Sequence, residues 1–244
     1  MGLEYDTQLA EKGYDLILVS NREEELSAAS KQLTQAFPIK VVTHFQDLAQ
    51  PAAADELFAW CMEEEKVLPD VLVNNAGMFF FKELETADLG RVQAMLNLHM
   101  VTVARSCILF GEAMKQRGSG RILIMSSMAA RIPAPGITIY SATKAYLRSF
   151  GRSLSYELKP YGVSVTPVGP AAIATPLYRL DAKKMAFGVH IGVIHTPRWL
   201  VRRALRAMFH GRRGISPSLM NVWLPGLIAL LPGPLVALIW KKLK

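Results

Sequence analysis

The most constraining feature of the sequence is an apolar run that ends in two hydroxyl side chains and leads into an amphipathic helix. Residues 122–125 are Ile-Leu-Ile-Met, which predicts a buried strand, and Ser126 and Ser127 follow it. The predicted helix covers residues 140–158 and has apolar side chains at helical spacing. In a parallel α/β sheet, the carboxyl end of a strand and the start of the next helix meet at the ligand-binding edge. The sequence therefore predicts an α/β fold with a site at this edge.

The helix carries Tyr140 and Lys144 four residues apart, so both side chains lie on one face, one turn apart. A phenol is a poor acid or base at neutral pH, and a nearby cation lowers its pKa towards the working range. The hydroxyl of Ser127 at the strand end can hold a substrate oxygen against that phenol. The three side chains predict an acid–base site. The alternative is a surface tyrosine and lysine on an ordinary amphipathic helix.

Further motifs accompany these residues in a fixed order. Residues 71–77 are Val-Leu-Val-Asn-Asn-Ala-Gly, and residues 170–176 are Pro-Ala-Ala-Ile-Ala-Thr-Pro. Between them, Asn97 lies within a predicted helix over about residues 89–116. The spacing S-x12-Y-x3-K holds for the serine, tyrosine and lysine. Together these motifs resemble those of the short-chain dehydrogenase/reductase family over residues 1–177. The resemblance implies a Rossmann-like, doubly wound parallel sheet. The residues beyond it add a helical, apolar and basic extension at the C-terminus.

The resemblance also implies roles for four catalytic residues. Tyr140 exchanges a proton with the substrate oxygen, Ser127 positions that oxygen, and Lys144 lowers the phenol pKa and holds the nicotinamide ribose. Asn97 holds a water that relays protons from Lys144. Burying an asparagine side chain in the middle of a helix costs free energy unless its amide is hydrogen-bonded. The alternative for Asn97 is therefore a purely structural role, as a core amide whose hydrogen bonds are satisfied.

The implied cofactor is NADP, with NAD as the alternative. An arginine after the second strand of this fold accommodates the 2′-phosphate of NADP, whereas an acidic residue there holds the ribose of NAD. Arg22 occupies that position, although it also suits a solvated helix start. Asp47 and Leu48 are expected at the adenine; alternatively, Asp47 caps the predicted helix 51–65. The predicted cofactor-binding residues are Arg22, Asp47, Leu48, Asn75, Ala76, Gly77, Tyr140, Lys144, Pro170, Ile173 and Thr175.

The sequence begins differently from the family pattern. Residues 1–13 predict a helix with a glycine stop, and residues 15–20 a buried strand. In the family, a strand and a glycine-rich turn precede this helix, and Gly2 resembles the last glycine of that turn. The absent strand would be a central one, so both of its neighbours are expected to lack a hydrogen-bonding partner. We expect that the sequence starts at an internal methionine and that the working protein has the preceding segment.

Charge is unevenly distributed along the chain. Residues 1–181 contain all 20 acidic residues and 17 of the 28 basic ones, a net charge of −3, and residues 182–244 carry +11. We therefore predict a Rossmann-like domain over residues 1–180, a substrate-side helical segment over 181–215 and an apolar tail over 216–244. The two cysteines form no disulfide framework, and no histidine spacing suggests a metal site, so we expect a reducing compartment and no metal.

The last part of the chain combines an arginine stripe with an apolar tail. Arg198, Arg202 and Arg206 share one face of a predicted helix that begins at Thr196. Residues 221–240 then lack any charge, contain three prolines, and precede a lysine cluster at 241–244. The prolines argue against one spanning helix and favour two short segments at a membrane surface. Alternatively, the tail covers the pocket or forms an oligomer interface. We expect a cytoplasmic, membrane-associated homo-oligomer that binds no nucleic acid.

These features predict an oxidoreductase that transfers a hydride between NADP(H) and a ketone or secondary alcohol. The apolar tail favours a lipophilic substrate such as a long-chain 3-oxoacyl, sphingoid or steroid-like ketone. The alternative is a membrane-attached, non-catalytic binding or scaffold protein that has lost the dinucleotide-binding turn.

Overall fold

The computed structural model describes residues 1–132, 134–175, 189, 194–218 and 220–243. Five parallel strands alternate with helices, as the α/β prediction requires, and the Rossmann-like fold class is confirmed. The strands are β1 (Leu16–Ser20), β2 (Val41–Phe45), β3 (Val71–Asn74), β4 (Gly120–Met125) and β5 (Val163–Val168).

Nine α-helices surround these strands in the described part of the chain. They are α1 (Gly2–Ala10), α2 (Glu23–Ala36), α3 (Ala53–Ala59), α4 (Leu89–Leu96), α5 (Thr102–Arg117), α6 (Thr138–Leu158), α7 (Pro197–Phe209), α8 (Met220–Ala229) and α9 (Gly233–Leu243). Short 3-10 turns occur at Thr86–Asp88, Met128–Arg131 and Lys159–Tyr161, and π-helical turns at Trp60–Glu64 and Asn97–Val101.

The strands form two separate groups, β1-β2 and β3-β4-β5. Within the described residues, β1 pairs only with β2 and β3 only with β4, so one edge of each strand borders the cleft between the groups. These are the two strands that the sequence predicts to lack a partner. Because all pairs are parallel, Ser20, Asn74 and Met125 lie at the carboxyl ends where loops can converge on a ligand.

The core lies where helices cover the strands. Helices α5 and α6 contribute Cys107, Met114 and Leu147, which pack with Ile122 and Ile124 of β4. Helix α7 covers the opposite side of the sheet, burying a second cluster. These buried side chains recur at helical spacing on α5 and α6, so the sequence pattern determines which face each helix presents to the sheet.

The helix predicted to run without interruption from residue 89 to 116 is instead divided. Helix α4 ends at Leu96, a π-helical turn covers Asn97–Val101, and α5 continues from Thr102. A π turn accommodates an extra residue, so it rotates the side chains that follow relative to a regular helix. The helical segment Thr86–Arg117 is also long and apolar enough to cross a membrane. However, 50% of its most apolar 18-residue stretch is buried inside the protein, as in a core helix.

The C-terminal part follows the predicted helical pattern. Helix α7 starts after Thr196, whose hydroxyl accepts a hydrogen bond from the Trp199 N–H at 3.2 Å, as the predicted N-cap requires. Arg202 and Arg206 are exposed, while the opposite face is buried. The uncharged tail forms two short helices, α8 and α9, separated at Pro232. The predicted domain boundary between residues 180 and 181 lies outside the described residues.

Candidate active site

The two serines after β4 have different partners. The Ser126 hydroxyl donates a hydrogen bond of 2.7 Å to the carbonyl oxygen of Lys144, which attaches the strand end to helix α6. The Ser127 hydroxyl accepts a 3.1 Å hydrogen bond from the Ala129 N–H and lies at the wall of the cleft. An accepting hydroxyl still carries its own hydrogen, so Ser127 can donate to a substrate oxygen.

Tyr140 and Lys144 lie on the buried face of α6. The Lys144 Nζ is 5.5 Å from the centre of the Tyr140 ring and donates a 2.8 Å hydrogen bond to the carbonyl oxygen of Met125. Burial lowers the pKa of Lys144 to about 8. The lysine is therefore a poorly solvated amine held next to a phenol, which is the arrangement that the four-residue spacing predicts.

One cleft, with a volume of about 1780 Å³, is lined by most of the predicted site residues. It contains three of the four predicted catalytic residues and all of the predicted cofactor-binding residues. Those lining residues are Ser127, Tyr140, Lys144, Arg22, Asp47, Leu48, Asn75, Ala76, Gly77, Pro170, Ile173 and Thr175.

Two loops form the wall around the catalytic side chains. After β3, Asn75 turns the chain by donating its N–H to the Val73 carbonyl oxygen at 3.0 Å. Ala76 and Gly77 are exposed to the cleft, where the methyl group of Ala76 and the absence of a side chain on Gly77 leave the backbone accessible. On the other side, the Pro170 carbonyl oxygen accepts a 2.7 Å hydrogen bond from the Met128 N–H, which joins the loop after β5 to the loop after β4.

The ends of β1 and β2 form the far side of the cleft. The Arg22 guanidinium forms a 3.0 Å ion pair with Glu25, and both side chains are mainly exposed. The Asp47 carboxylate accepts hydrogen bonds from the Ala49 N–H at 3.0 Å and the Gln50 side chain at 2.9 Å. Asp47 therefore stabilises its own turn, and the alternative that it caps the following helix is wrong, because that helix begins at Ala53.

Asn97 is not among the residues that line the cleft. Its side-chain amide donates a 3.0 Å hydrogen bond to the Ala49 carbonyl oxygen and accepts one of 2.9 Å from Gln93. Nearby, the Thr102 hydroxyl bonds the Leu48 carbonyl oxygen at 2.8 Å. Both side chains attach loop 47–49 to the helix. The contacts of Asn97 match those of a satisfied amide, and its role in a proton relay stays a prediction.

Sequence reasoning did not select His99, which is buried between the two sides of the site. Its Nδ1 lies 2.9 Å from the Thr143 hydroxyl, and its Nε2 lies 3.0 Å from the Met78 backbone nitrogen. Burial, together with the charge of Lys144, lowers the pKa of His99 to about 2. The available signal was a histidine two residues after Asn97 in an otherwise apolar helix, but its partners are distant in sequence.

The family profile described as short chain dehydrogenase matches residues 1–185. The chain belongs to this family. The resemblance that the motifs indicated is thereby confirmed over the strands and over the loops that carry Ser127, Tyr140 and Lys144.

Curated relatives are similar over much of the chain. The very-long-chain 3-oxoacyl-CoA reductase of Mus musculus is 31% identical over 185 residues, covering 74% of this chain and 58% of that protein. The reductase of the same name from Homo sapiens is 31% identical over 184 residues, with the same coverage of 74% and 58%. That of Aspergillus fumigatus is 28% identical over 246 residues, covering 94% and 65%. The chain thus spans less than two thirds of each of these relatives.

Solved structures share the fold. A short-chain dehydrogenase from Sphingobium yanoikuyae in complex with NADPH has a TM-score of 0.78 and 24% identity, covering 95% of this chain and 93% of that one. A 7beta-hydroxysteroid dehydrogenase has a TM-score of 0.81 and 19% identity, covering 94% and 88%. At these identities the likeness supports the fold alone.

Proposed function

We propose that this protein is an NADP(H)-dependent oxidoreductase that interconverts a lipophilic ketone and its secondary alcohol. The observation that carries the proposal is that Ser127, Tyr140 and Lys144 converge on one cleft. Membership of the short chain dehydrogenase family and the reductase names of its relatives support it.

The chemistry of the cleft suits a dinucleotide, because it has a cation at each side, Arg22 and Lys144. Its volume of about 1780 Å³ includes the gap between β1 and β3, so the lining residues and not the size support the assignment. Loops 75–77 and 170–175 would hold the nicotinamide end, and Asp47 and Leu48 the adenine end. When bound, the nicotinamide supplies the hydride for the substrate carbonyl carbon.

The protein's own side chains handle the substrate oxygen and its proton. Ser127 donates a hydrogen bond to the oxygen and holds it against the Tyr140 phenol. Tyr140 donates the proton during ketone reduction and accepts it during alcohol oxidation. Lys144 in its charged form favours the phenolate, and the Met125 carbonyl oxygen holds its amine near the ring.

A preference for NADP over NAD depends on Arg22. Its ion pair with Glu25 is solvent-exposed, and exposed pairs contribute only about 0–1 kcal/mol. Arg22 can therefore leave Glu25 and pair with a 2′-phosphate instead, whose charge offers a stronger bidentate contact. The acidic side chains Glu23, Glu24 and Glu25 follow directly, so removal of Arg22 would leave a site that repels the phosphate.

Apolar side chains next to the phenol favour a lipophilic substrate. The Phe79 ring packs edge-on against Tyr140, with centres 4.9 Å apart, and Phe80 and Met95 belong to the same buried cluster. The relatives named very-long-chain 3-oxoacyl-CoA reductase suggest a long-chain 3-oxoacyl ketone as the first substrate to test.

We also propose that the tail, helices α8 and α9, associates with a membrane surface on the cytoplasmic side. Trp223 is 70% and Leu230 81% exposed, and Lys241 and Lys242 follow on the same segment. Exposed apolar groups beside lysines suit the interface of an anionic bilayer. The Trp240 ring contacts Phe81 with centres 5.8 Å apart, so the tail adjoins the loop that packs on Tyr140. A homo-oligomer stays a prediction.

The decisive experiment compares two tyrosines on one helix. Tyr140→Phe removes the phenolic hydroxyl at the cleft, while Tyr146→Phe removes one that lies outside its lining, where Tyr146 stacks on Phe150. With NADPH and long-chain ketones in detergent, we expect Tyr140→Phe to lower kcat by about 100-fold or more. Tyr146→Phe should stay within about twofold of wild type.

Parallel assays with NADH test the cofactor preference, and fluorescence titration with NADPH tests binding alone. An unchanged rate in Tyr140→Phe would overturn the mechanism. A wild-type protein that neither binds NADPH nor reduces any of these ketones would instead favour the non-catalytic alternative, which the names of the relatives do not support.

A further inference from the structure

His99 is buried, 1% exposed, in the π-helical turn Asn97–Val101. Its ring joins two parts of the site that are far apart in sequence. Nδ1 lies 2.9 Å from the hydroxyl of Thr143 on helix α6, and Nε2 lies 3.0 Å from the backbone nitrogen of Met78 in the loop after β3. Both ring nitrogens are therefore used.

The two partners determine the protonation state of the ring. The Met78 N–H can only donate, so Nε2 must carry a lone pair. The single hydrogen of the Thr143 hydroxyl is donated to the Tyr140 carbonyl oxygen at 2.8 Å, so the oxygen accepts from Nδ1–H. Both arguments require the neutral, Nδ1-protonated tautomer. A charged ring would place an N–H against the Met78 N–H.

The residues joined in this way adjoin the catalytic groups. Thr143 lies between Tyr140 and Lys144 in the sequence, and Met78 directly follows Gly77. A Cβ on Gly77 would lie only 3.1 Å from the His99 Nε2, so the backbone and the ring are in close contact. The His99 ring also packs edge-on against Tyr140, with centres 5.9 Å apart. The His99 ring thus links the loop to the helix that carries the phenol through two hydrogen bonds, in addition to the ring contact between Phe79 and Tyr140.

We propose that His99 is a positioning residue that holds loop 75–78, the cofactor side of the cleft, at a fixed distance from the catalytic turn of α6. This inference rests on the proposed function for the identity of the ligand, but the hydrogen-bonded bridge itself does not. His99 exchanges no proton in the reaction. Its task is to keep the Met78 backbone in place so that Asn75, Ala76 and Gly77 present a preformed surface to the nicotinamide.

The two halves of the bridge can be separated by amide substitutions. The amide of an asparagine reaches the position of Nδ1, so His99→Asn keeps a donor for Thr143 and loses the acceptor for Met78. The longer glutamine reaches the position of Nε2, so His99→Gln keeps the acceptor for the Met78 N–H and loses the bond to Thr143. The two variants are therefore matched in polarity and opposite in connectivity.

Hydrogen exchange at the Met78 amide provides the direct measurement. We expect exchange to be about tenfold faster in His99→Asn, because the amide has lost its acceptor, and within about threefold of wild type in His99→Gln. Thermal unfolding of both variants shows whether each is folded. Equal acceleration in both variants would overturn the bridge, since a purely packing role does not distinguish the two ends of the ring.

Cofactor binding tests the positioning role. For NADPH we expect the Kd, measured by fluorescence titration, to rise about tenfold in His99→Asn and by no more than about threefold in His99→Gln. A rise in Kd that is equal in the two variants would contradict the role of the Met78 contact.

Failure of the proposed function has a different signature. It would appear as absence of NADPH binding in wild type, while the exchange rates of the Met78 amide still decide whether His99 holds this loop.

Discussion

At the scale of single residues, the site combines groups whose environments favour different charge states. Lys144 is buried with a carbonyl oxygen as its hydrogen-bond partner, and His99 is buried between a hydroxyl and a backbone N–H. Burial disfavours the charged form of both, so a neutral imidazole lies close to an amine that titrates near neutral pH. Such a site can change the charge next to the phenol with little change in geometry.

The buried amine has a cost in stability that depends on pH. Lys144 has a pKa of about 8 in the folded protein instead of its ordinary value of 10.5. Below pH 8 both folded and unfolded chains hold the proton, so the cost is present in full. Between these values only the unfolded chain holds it, and stability increases with pH. We therefore expect Lys144→Met to abolish activity and to raise the free energy of unfolding at pH 7 by about 2 kcal/mol.

Urea denaturation at several pH values measures this effect. The advantage of Lys144→Met should shrink as the pH rises towards 10.5, because the folded wild type then buries a neutral amine and the cost of burying a charge is progressively lost. The exposed Lys159 at the end of α6 provides the control, since Lys159→Met removes the same charge without relieving burial. A stability difference that does not vary with pH would contradict the argument.

These residue contacts mark what the sequence can and cannot predict about the site. The spacing of Tyr140 and Lys144 was sufficient to place both on one helix face, because neighbours along a helix have fixed geometry. The partners of Lys144 and His99 were not predictable, since Met125, Met78 and Thr143 are 19 to 44 positions away. Contacts of that kind depend on how strands and helices pack together.

At the scale of secondary structure elements, glycine turns bring neighbouring strands together at the edge of the sheet opposite the site. Helix α6 ends at Leu158, and Gly162, with φ of +75°, turns the chain into β5. A Cβ on Gly162 would collide with the Gly118 carbonyl oxygen, in the turn that precedes β4. The turns that precede the neighbouring strands β4 and β5 are therefore in direct contact at this glycine.

Two glycines with nearly the same positive φ differ in the room available for a side chain. They therefore separate the effect of backbone strain on stability from the effect of a steric clash. Gly13 has φ of +80° and would place a Cβ with no heavy atom within 4 Å, whereas a Cβ on Gly162 would meet backbone atoms. We expect Gly13→Ala to lower the free energy of unfolding by about 1 kcal/mol, through conformational strain alone. Gly162→Ala should cost about 3 kcal/mol or more, because the backbone must also move. Chemical denaturation of the two variants checks this, and equal losses would contradict it.

The elements themselves were largely predictable, and the exception is instructive. Strand β4 and helix α6 were recognised because their apolar residues follow a simple run or a helical period. The π-helical turn Asn97–Val101 was not, because apolar spacing along residues 89–116 also fits a regular helix. Apolar periodicity cannot locate the extra residue of a π-helical turn. The turn contains both Asn97 and His99, so the contacts of these two residues could not be predicted from the helical pattern.

At the scale of the whole molecule, the charge distribution divides the chain but the core does not, because helix α7 of the basic part packs into the same buried cluster as α1, β1 and β4. The region with net charge −3 forms the strands and the cleft, and the basic region begins near residue 181. Two short tail helices were expected from the prolines. The sequence left their location open between a membrane surface, a cover over the pocket and an oligomer interface, because the contact between Trp240 and Phe81 joins segments 159 positions apart. That contact places α9 beside loop 78–81, where an apolar substrate would approach the phenol.

The tail should bind anionic vesicles through its lysines as well as its apolar groups. The variant Lys241→Glu/Lys242→Glu reverses two charges beside the exposed Leu235 and Leu238. Each lysine near an anionic membrane contributes about 1 kcal/mol to the free energy of binding. We expect it to weaken binding to phosphatidylserine-rich vesicles by at least about tenfold in sedimentation assays. Arg198→Glu/Arg202→Glu makes the same charge change on exposed positions of α7, outside the apolar tail, and should weaken binding less. Equal loss in both variants would mean that overall charge, and not the tail, determines membrane binding.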